Sequence, residues 1–168
     1  MSILEIVKYP DPILRKKLQD IENIDEETKT LISDMADTMY EDNGVGLAAN
    51  QVGALKRLII FDPEPDPEKR NFTALINPHI VEKHGEQLSE GEGCLSLPGI
   101  RSDVKRYAGI KVEALDLDGN TITIEAENDL PSIILQHEID HLDGIVFIDH
   151  ISALKRKLYH KKLTKRAR

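Results

Sequence analysis

The chain has 168 residues, 40% of them hydrophobic and 31% charged, with a formal net charge of −8, which suits one globular domain with a sizeable core. No apolar run approaches the length a bilayer span needs, and Met1-Ser2-Ile3-Leu4-Glu5 lacks the basic-then-apolar order of a signal peptide, so neither membrane insertion nor export is expected. The single cysteine excludes an internal disulfide, and together these features point to the cytoplasm.

In chain order, Tyr9-Pro10-Asp11-Pro12 reads as a turn into a short helical piece from Ile13 to Leu18. Ile24-Asp25-Glu26-Glu27 starts a longer helix, in which Leu31, Met35 and Met39 recur at helical spacing and Asn43-Gly44 makes the stop. Gly44-Val45-Gly46-Leu47-Ala48-Ala49-Asn50-Gln51, taken alone, reads as a turn. Its two glycines tolerate a close approach, and the spacing is not that of a dinucleotide fingerprint. Arg57–Phe61, Ala74–Asn77 and Ile80–Glu82 are predicted strands, and Pro63–Arg70 an exposed acidic loop. Glu92-Gly93-Cys94-Leu95-Ser96-Leu97-Pro98-Gly99 reads as a loop broken up by glycines. Ile110, Val112 and Ala114 alternate, Asp118-Gly119 turns the chain, and Thr121–Ile124 returns, a hairpin. Antiparallel strand runs with helices at the ends and one late in the chain predict an α+β fold.

The late helix carries Gln136-His137-Glu138-Ile139-Asp140-His141. Asn128 or Asp129 can cap its start, Pro131 falls in the first turn, and Gly144 can end it. On a helix, residues i and i+4 share one face, so both imidazoles can reach one ion. Glu138, beside the first of them, can hydrogen-bond a water on that ion. This is the His-Glu-x-x-His arrangement of metal-assisted hydrolysis, in which the ion lowers the pKa of its water and Glu takes the proton. Five-residue matches also arise by chance on surface helices, so a third ligand matters. Phe147 stands where a metzincin would place a histidine, and no Glu follows Glu138, which counts against the common zinc endopeptidase patterns. The ligand must come from upstream, or from Asp143, Asp149 or His150. A lone cysteine is usually a small buried apolar residue. Cys94 has glycine and acidic neighbours instead, and a thiolate added to His137 and His141 makes a chemically ordinary catalytic set with an open position.

The three stretches Gly44–Gln51, Glu92–Ser96 and Gln136–His141, in this order, resemble the three motifs of the peptide deformylases, and the resemblance runs over nearly the whole chain. It implies a hydrolase that removes the formyl group from the N-terminal formyl-methionine of nascent polypeptides and releases formate. By the same resemblance Cys94, His137 and His141 bind one ion per chain, usually Fe2+, with Zn2+ or Ni2+ able to substitute. Glu138 is the base and then the acid, and Gln51 with the Leu95 N–H stabilises the oxyanion. Val45, Gly46 and Gly93 run beside the substrate backbone. Val45, Leu130, Ile133, Ile134 and His137 surround the methionine pocket, and Arg101 contacts the peptide further along. Ile134, Glu90 and Pro131 depart from the usual pattern, and the first two bear on that pocket. A ribosome-binding relative without catalysis would have no need of Glu138, Cys94 and Gln51.

Residues 1–150 are read as one catalytic domain and 151–168 as a basic helix attached to it. Eight of the 22 Lys and Arg residues lie in 155–168, which has no acid; the remaining 14 face all 30 acids, a +8 tail on a −16 body. Such a tail suits an anionic partner, and the resemblance names the ribosome. Ser152 is expected to cap this helix and Leu154 and Leu158 to tack its first turn to the domain. Lys161, Lys162, Lys165, Arg166 and Arg168 are then expected to be free for phosphates, and the chain beyond Tyr159 dispensable for hydrolysis.

Overall fold

The computed structural model describes residues 2–166; Arg168 of the basic tail lies outside them. The fold is α+β, as expected. Seven strands, β1 (Gly46–Ala48), β2 (Leu58–Phe61), β3 (Thr73–His84), β4 (Gln87–Cys94), β5 (Leu97–Arg106), β6 (Gly109–Leu115) and β7 (Thr121–Glu127), accompany helices α1 (Glu26–Glu41), α2 (Leu130–Leu142) and α3 (Ala153–Arg166). An antiparallel sheet of order β1-β2-β3-β6-β7 stands beside a two-stranded β4-β5 hairpin.

The period-2 geometry of strands explains the layering. In β2, Leu58 and Ile60 point to α1, where they join Ile32, Met35 and Met39. Ile59 and Phe61 point to α2 and pack with Leu135, Ile139 and Leu142. β2 is therefore buried on both faces, which is why it reads as an unbroken apolar run. Each such Leu or Ile contributes about 1.5–3 kcal/mol relative to exposure. A third cluster joins the hairpin to the C-terminal end through Leu97, Ile100, Val104, Phe147 and Leu163.

Several local expectations are corrected. The piece from Ile13 to Leu18 is a single 3-10 turn over Pro12–Arg15, and Lys17 instead pairs with Asp143 in an isolated bridge. The two strands predicted around residues 74–82 are one, β3, with a register shift between Ile76 and His79 where Asn77 has φ +55°. Gly44–Gln51 is more than a turn: it holds edge strand β1, paired with β2, and a 3-10 turn over Ala49–Val52. Glu92–Gly99 is likewise no irregular loop but the tip of a hairpin, with Cys94 at the end of β4. Glycine's poor strand propensity misled on both stretches; pairing with a neighbour overrode it.

Candidate metal centre and substrate cleft

Asp129 caps α2, its carboxylate accepting from the Ser132 N–H at 2.9 Å, and Pro131 sits in the first turn, where an N–H is not needed. Gln136 anchors the helix sideways: its Oε1 accepts from the Tyr107 N–H and its Nε2 donates to the Tyr107 carbonyl, both at 2.9 Å. Asn50 Nδ2 donates to the His141 carbonyl at 2.7 Å, so the first motif braces the third. His137 and His141, one turn apart, present their rings 5.0 Å apart between centroids.

The end of β4 brings Cys94 to this face. One donor atom each from Cys94, His137 and His141 lies within 4.8 Å of the others, with Cys94 Sγ 3.3 Å from His141 Nε2. Asp143 and His150, alternatives for the third ligand, are engaged elsewhere: Asp143 with Arg57 at 2.8 Å, His150 with Asp140 at 2.8 Å. Asp149 is taken by Arg15 at 2.6 Å. A thiolate and two imidazoles fit a divalent transition ion.

Behind the three donor side chains is a set of hydrogen bonds that sequence reasoning missed. Glu92 Oε1 is 2.6 Å from His137 Nδ1. Arg106 holds Glu92 through two guanidinium nitrogens and reaches Asp140 at 2.7 Å. Glu92 and Arg106 are both buried. Burial opposes the Glu92 charge, but the bonds from His137 and Arg106 outweigh it and bring its carboxyl down to about 2. Burial also opposes a charged His137, and Cys94 and Glu92 overcome that, raising its affinity for a proton well above the usual imidazole range; a cation bound at its other ring nitrogen would take that proton's place. His141 goes the other way: burial, then the positive charges of His137 and Arg106, keep it neutral with a lone pair to offer. Strand alternation could have revealed Glu92, since residues i and i−2 share a face and Glu92 precedes Cys94 by two. Arg106, a dozen residues off in sequence, left no local signal.

Two further polar groups converge on the same three donors. Glu138 is buried, its Oε2 has no hydrogen-bond partner among the described residues, and burial pushes it up to about 7. Gln51 is fixed at both ends: Oε1 accepts from the Ala48 N–H at 2.9 Å, and Nε2 donates to Ser96 Oγ at 3.1 Å and faces Cys94 Sγ at 3.5 Å. These groups open onto a cleft of about 770 Å³. Val45, Gly46, Gly93, Leu95, Arg101, Leu130, Ile133 and Ile134 all line it, as do Glu90, Cys94, His137, Glu138 and Gln51; His141 is buried behind. A Cβ on Gly46 would come within 2.9 Å of Ile134 Cγ2 and Glu138 Cγ, so only glycine lets edge strand β1 approach α2 this closely.

A His-Glu-x-x-His helix, a cysteine beside it and a buried amide, all opening onto one cleft, define the class of metal-dependent hydrolases. The comparisons sharpen this. The polypeptide deformylase family matches residues 3–157. A peptide deformylase of Thermodesulfovibrio yellowstonii is 53% identical over 96% of this chain and 97% of its own. The crystal structure of a peptide deformylase from Legionella pneumophila is 44% identical, covers 98% of this chain and 95% of its own, and superposes with a TM-score of 0.90. That of Ehrlichia chaffeensis in complex with actinonin is 36% identical over 100% of this chain and 99% of its own, also at 0.90. The chain belongs to the polypeptide deformylase family, enzymes that remove the formyl group from newly made polypeptides.

Proposed function

We propose that the protein deformylates N-terminal formyl-methionine through the residues gathered above, with Cys94, His137 and His141 holding one ion. The observation that carries this reading is the convergence of those three donors beside Glu138 and Gln51. The resemblance to the family implies Fe2+, with Zn2+ or Ni2+ able to take its place, and a thiolate with two imidazoles can accept any of the three. When bound, the ion supplies Lewis acidity to the attacking water and the formyl carbonyl. Elemental analysis of anaerobically purified protein tests the choice of metal.

Glu138 takes the proton of the attacking water. Its carboxyl, pushed up to about 7 by burial, is matched to giving and taking a proton near neutral pH. As the carbonyl carbon becomes tetrahedral, Gln51 Nε2 and the Leu95 N–H donate to the growing oxyanion. Because Gln51 is already fixed by Ala48 and Ser96, it reorganises little as charge develops. Glu138 then returns the proton to the leaving amine, and formate departs. The substrate backbone adds to the chain at Val45 and at Gly46, where edge strand β1 begins, and passes Gly93. Its methionine side chain enters between Leu130, Ile133 and Ile134, and Arg101 meets the residues beyond. Formate release from formyl-Met-Ala by metal-loaded protein is the deciding assay; an inert protein with a full complement of metal would defeat the proposal.

The setting is the cytoplasm, on nascent chains. No described helix is long and apolar enough to cross a membrane. Residues 1–150 would form the catalytic unit and 151–168 the attached helix. Lys155, Lys157, Lys161, Lys162 and Lys165 are exposed on α3, and a cationic face on an otherwise acidic protein suits ribosomal RNA.

A further inference from the structure

The terminal helix does not attach as its sequence suggests. Leu154 and Leu158 remain 71% and 58% exposed, so they do not tack it down. Leu163, 2% exposed, seals it against Leu97, Ile100 and Val104 of the hairpin. Tyr159 Oη donates to the Arg101 carbonyl at 3.2 Å. Arg166, expected to be free, instead donates from Nη1 to the Pro98 carbonyl at 2.8 Å. The contacts recur at helical spacing, 159, 163 and 166, along one face.

That face meets a particular segment. Pro98, Gly99, Ile100 and Arg101 all line the substrate cleft. Arg101 lies opposite Gly93 in the β4-β5 pairing, and its Nη1 donates to the Gly91 carbonyl at 3.1 Å, so it spans both strands of that wall. Gly99 has φ +76°, and a Cβ there would come within 2.4 Å of Arg166 Nη1; the left-handed turn and the guanidinium above it need the same missing side chain.

We infer that Tyr159 and Arg166 are positioning residues for the cleft wall Pro98–Arg101, and that α3 thereby sets affinity for substrate residues beyond the formyl-methionine. The inference rests on the deformylase reading and on the peptide lying along this cleft. Both residues act on backbone carbonyls of the wall rather than on the reacting atoms, so their loss shows in KM more than in kcat. A formyl dipeptide ends near the ion, whereas a longer peptide must pass Arg101.

The test is steady-state kinetics of the full-length, metal-loaded enzyme on formyl-Met-Ala and on a formylated pentapeptide. Wild-type turnover of both establishes the underlying activity first; no turnover by the wild type would fault the deformylase reading instead. Arg166→Ala and Tyr159→Phe should each raise KM for the pentapeptide about five-fold, the equivalent of one hydrogen bond, with a smaller rise for the dipeptide and little change in kcat. Arg166→Lys should recover part of the loss. An unchanged ratio of the two KM values in both variants overturns the inference, as does a fall confined to kcat.

Discussion

Glu92 Oε1 sits 2.6 Å from His137 Nδ1 and thereby leaves the other ring nitrogen, Nε2, free of that bond and 3.9 Å from Glu138 Oε1. A carboxylate on the far nitrogen fixes the ring and raises the basicity of the ligating one. Glu92→Gln should therefore weaken metal affinity by about 10- to 100-fold, measured by competition with a chelator. Wild-type affinity in the variant would show that packing alone orients the imidazole.

The same carboxyl makes stability depend on acid. In the folded protein Glu92 is held down to about 2; in the unfolded chain it titrates at about 4.3. A depressed folded value stabilises at pH above the unfolded one, and the contribution is lost as pH falls from about 4.3 through about 2. It is worth about 3 kcal/mol. The gap between wild type and Glu92→Gln in urea unfolding should be level above about pH 5 and shrink toward about pH 2. A constant gap would assign the stability to some other feature of Glu92.

Glu138 Oε2 has no hydrogen-bond partner among the described residues, so replacing the side chain by glutamine breaks no hydrogen bond seen there. Glu138→Gln should retain the ion and lose about 10²–10⁴-fold in kcat. Metal content and formate release on one preparation check both halves. Activity within a few-fold of wild type would put the base elsewhere.

The tail offers a charge experiment that truncation after Tyr159 does not. Cutting there removes Leu163, which is buried, and His160, whose Nδ1 is 2.5 Å from Tyr9 Oη. Exchanging exposed Lys161 and Lys162 for glutamate leaves those contacts in place. Cosedimentation with ribosomes should then fall, and wild-type binding should weaken steeply with salt as counterions are released. Undiminished pelleting of the double variant would leave the basic face as solvated surface.

Much of this is legible in the sequence. His137, Glu138 and His141 declare themselves through helical spacing, a relation between neighbours in sequence. The capped start at Asp129, the hairpin at Asp118-Gly119 and the apolar face of α1 are equally local, as is the α+β class that follows from their order. Cys94 could be put forward by chemistry, but that it reaches His141 was decided only when hairpin β4-β5 packed against α2. The clamp of Arg106 on Glu92 and Asp140 joins three separate elements, so no window of sequence contains it. The terminal helix makes the same point most sharply. Leu154 and Leu158 have the spacing to anchor it, yet which face of a helix is buried depends on where its neighbour lies. Here the hairpin lies under Tyr159, Leu163 and Arg166. Periodicity fixes which residues share a face, and only the tertiary structure selects which face meets the protein.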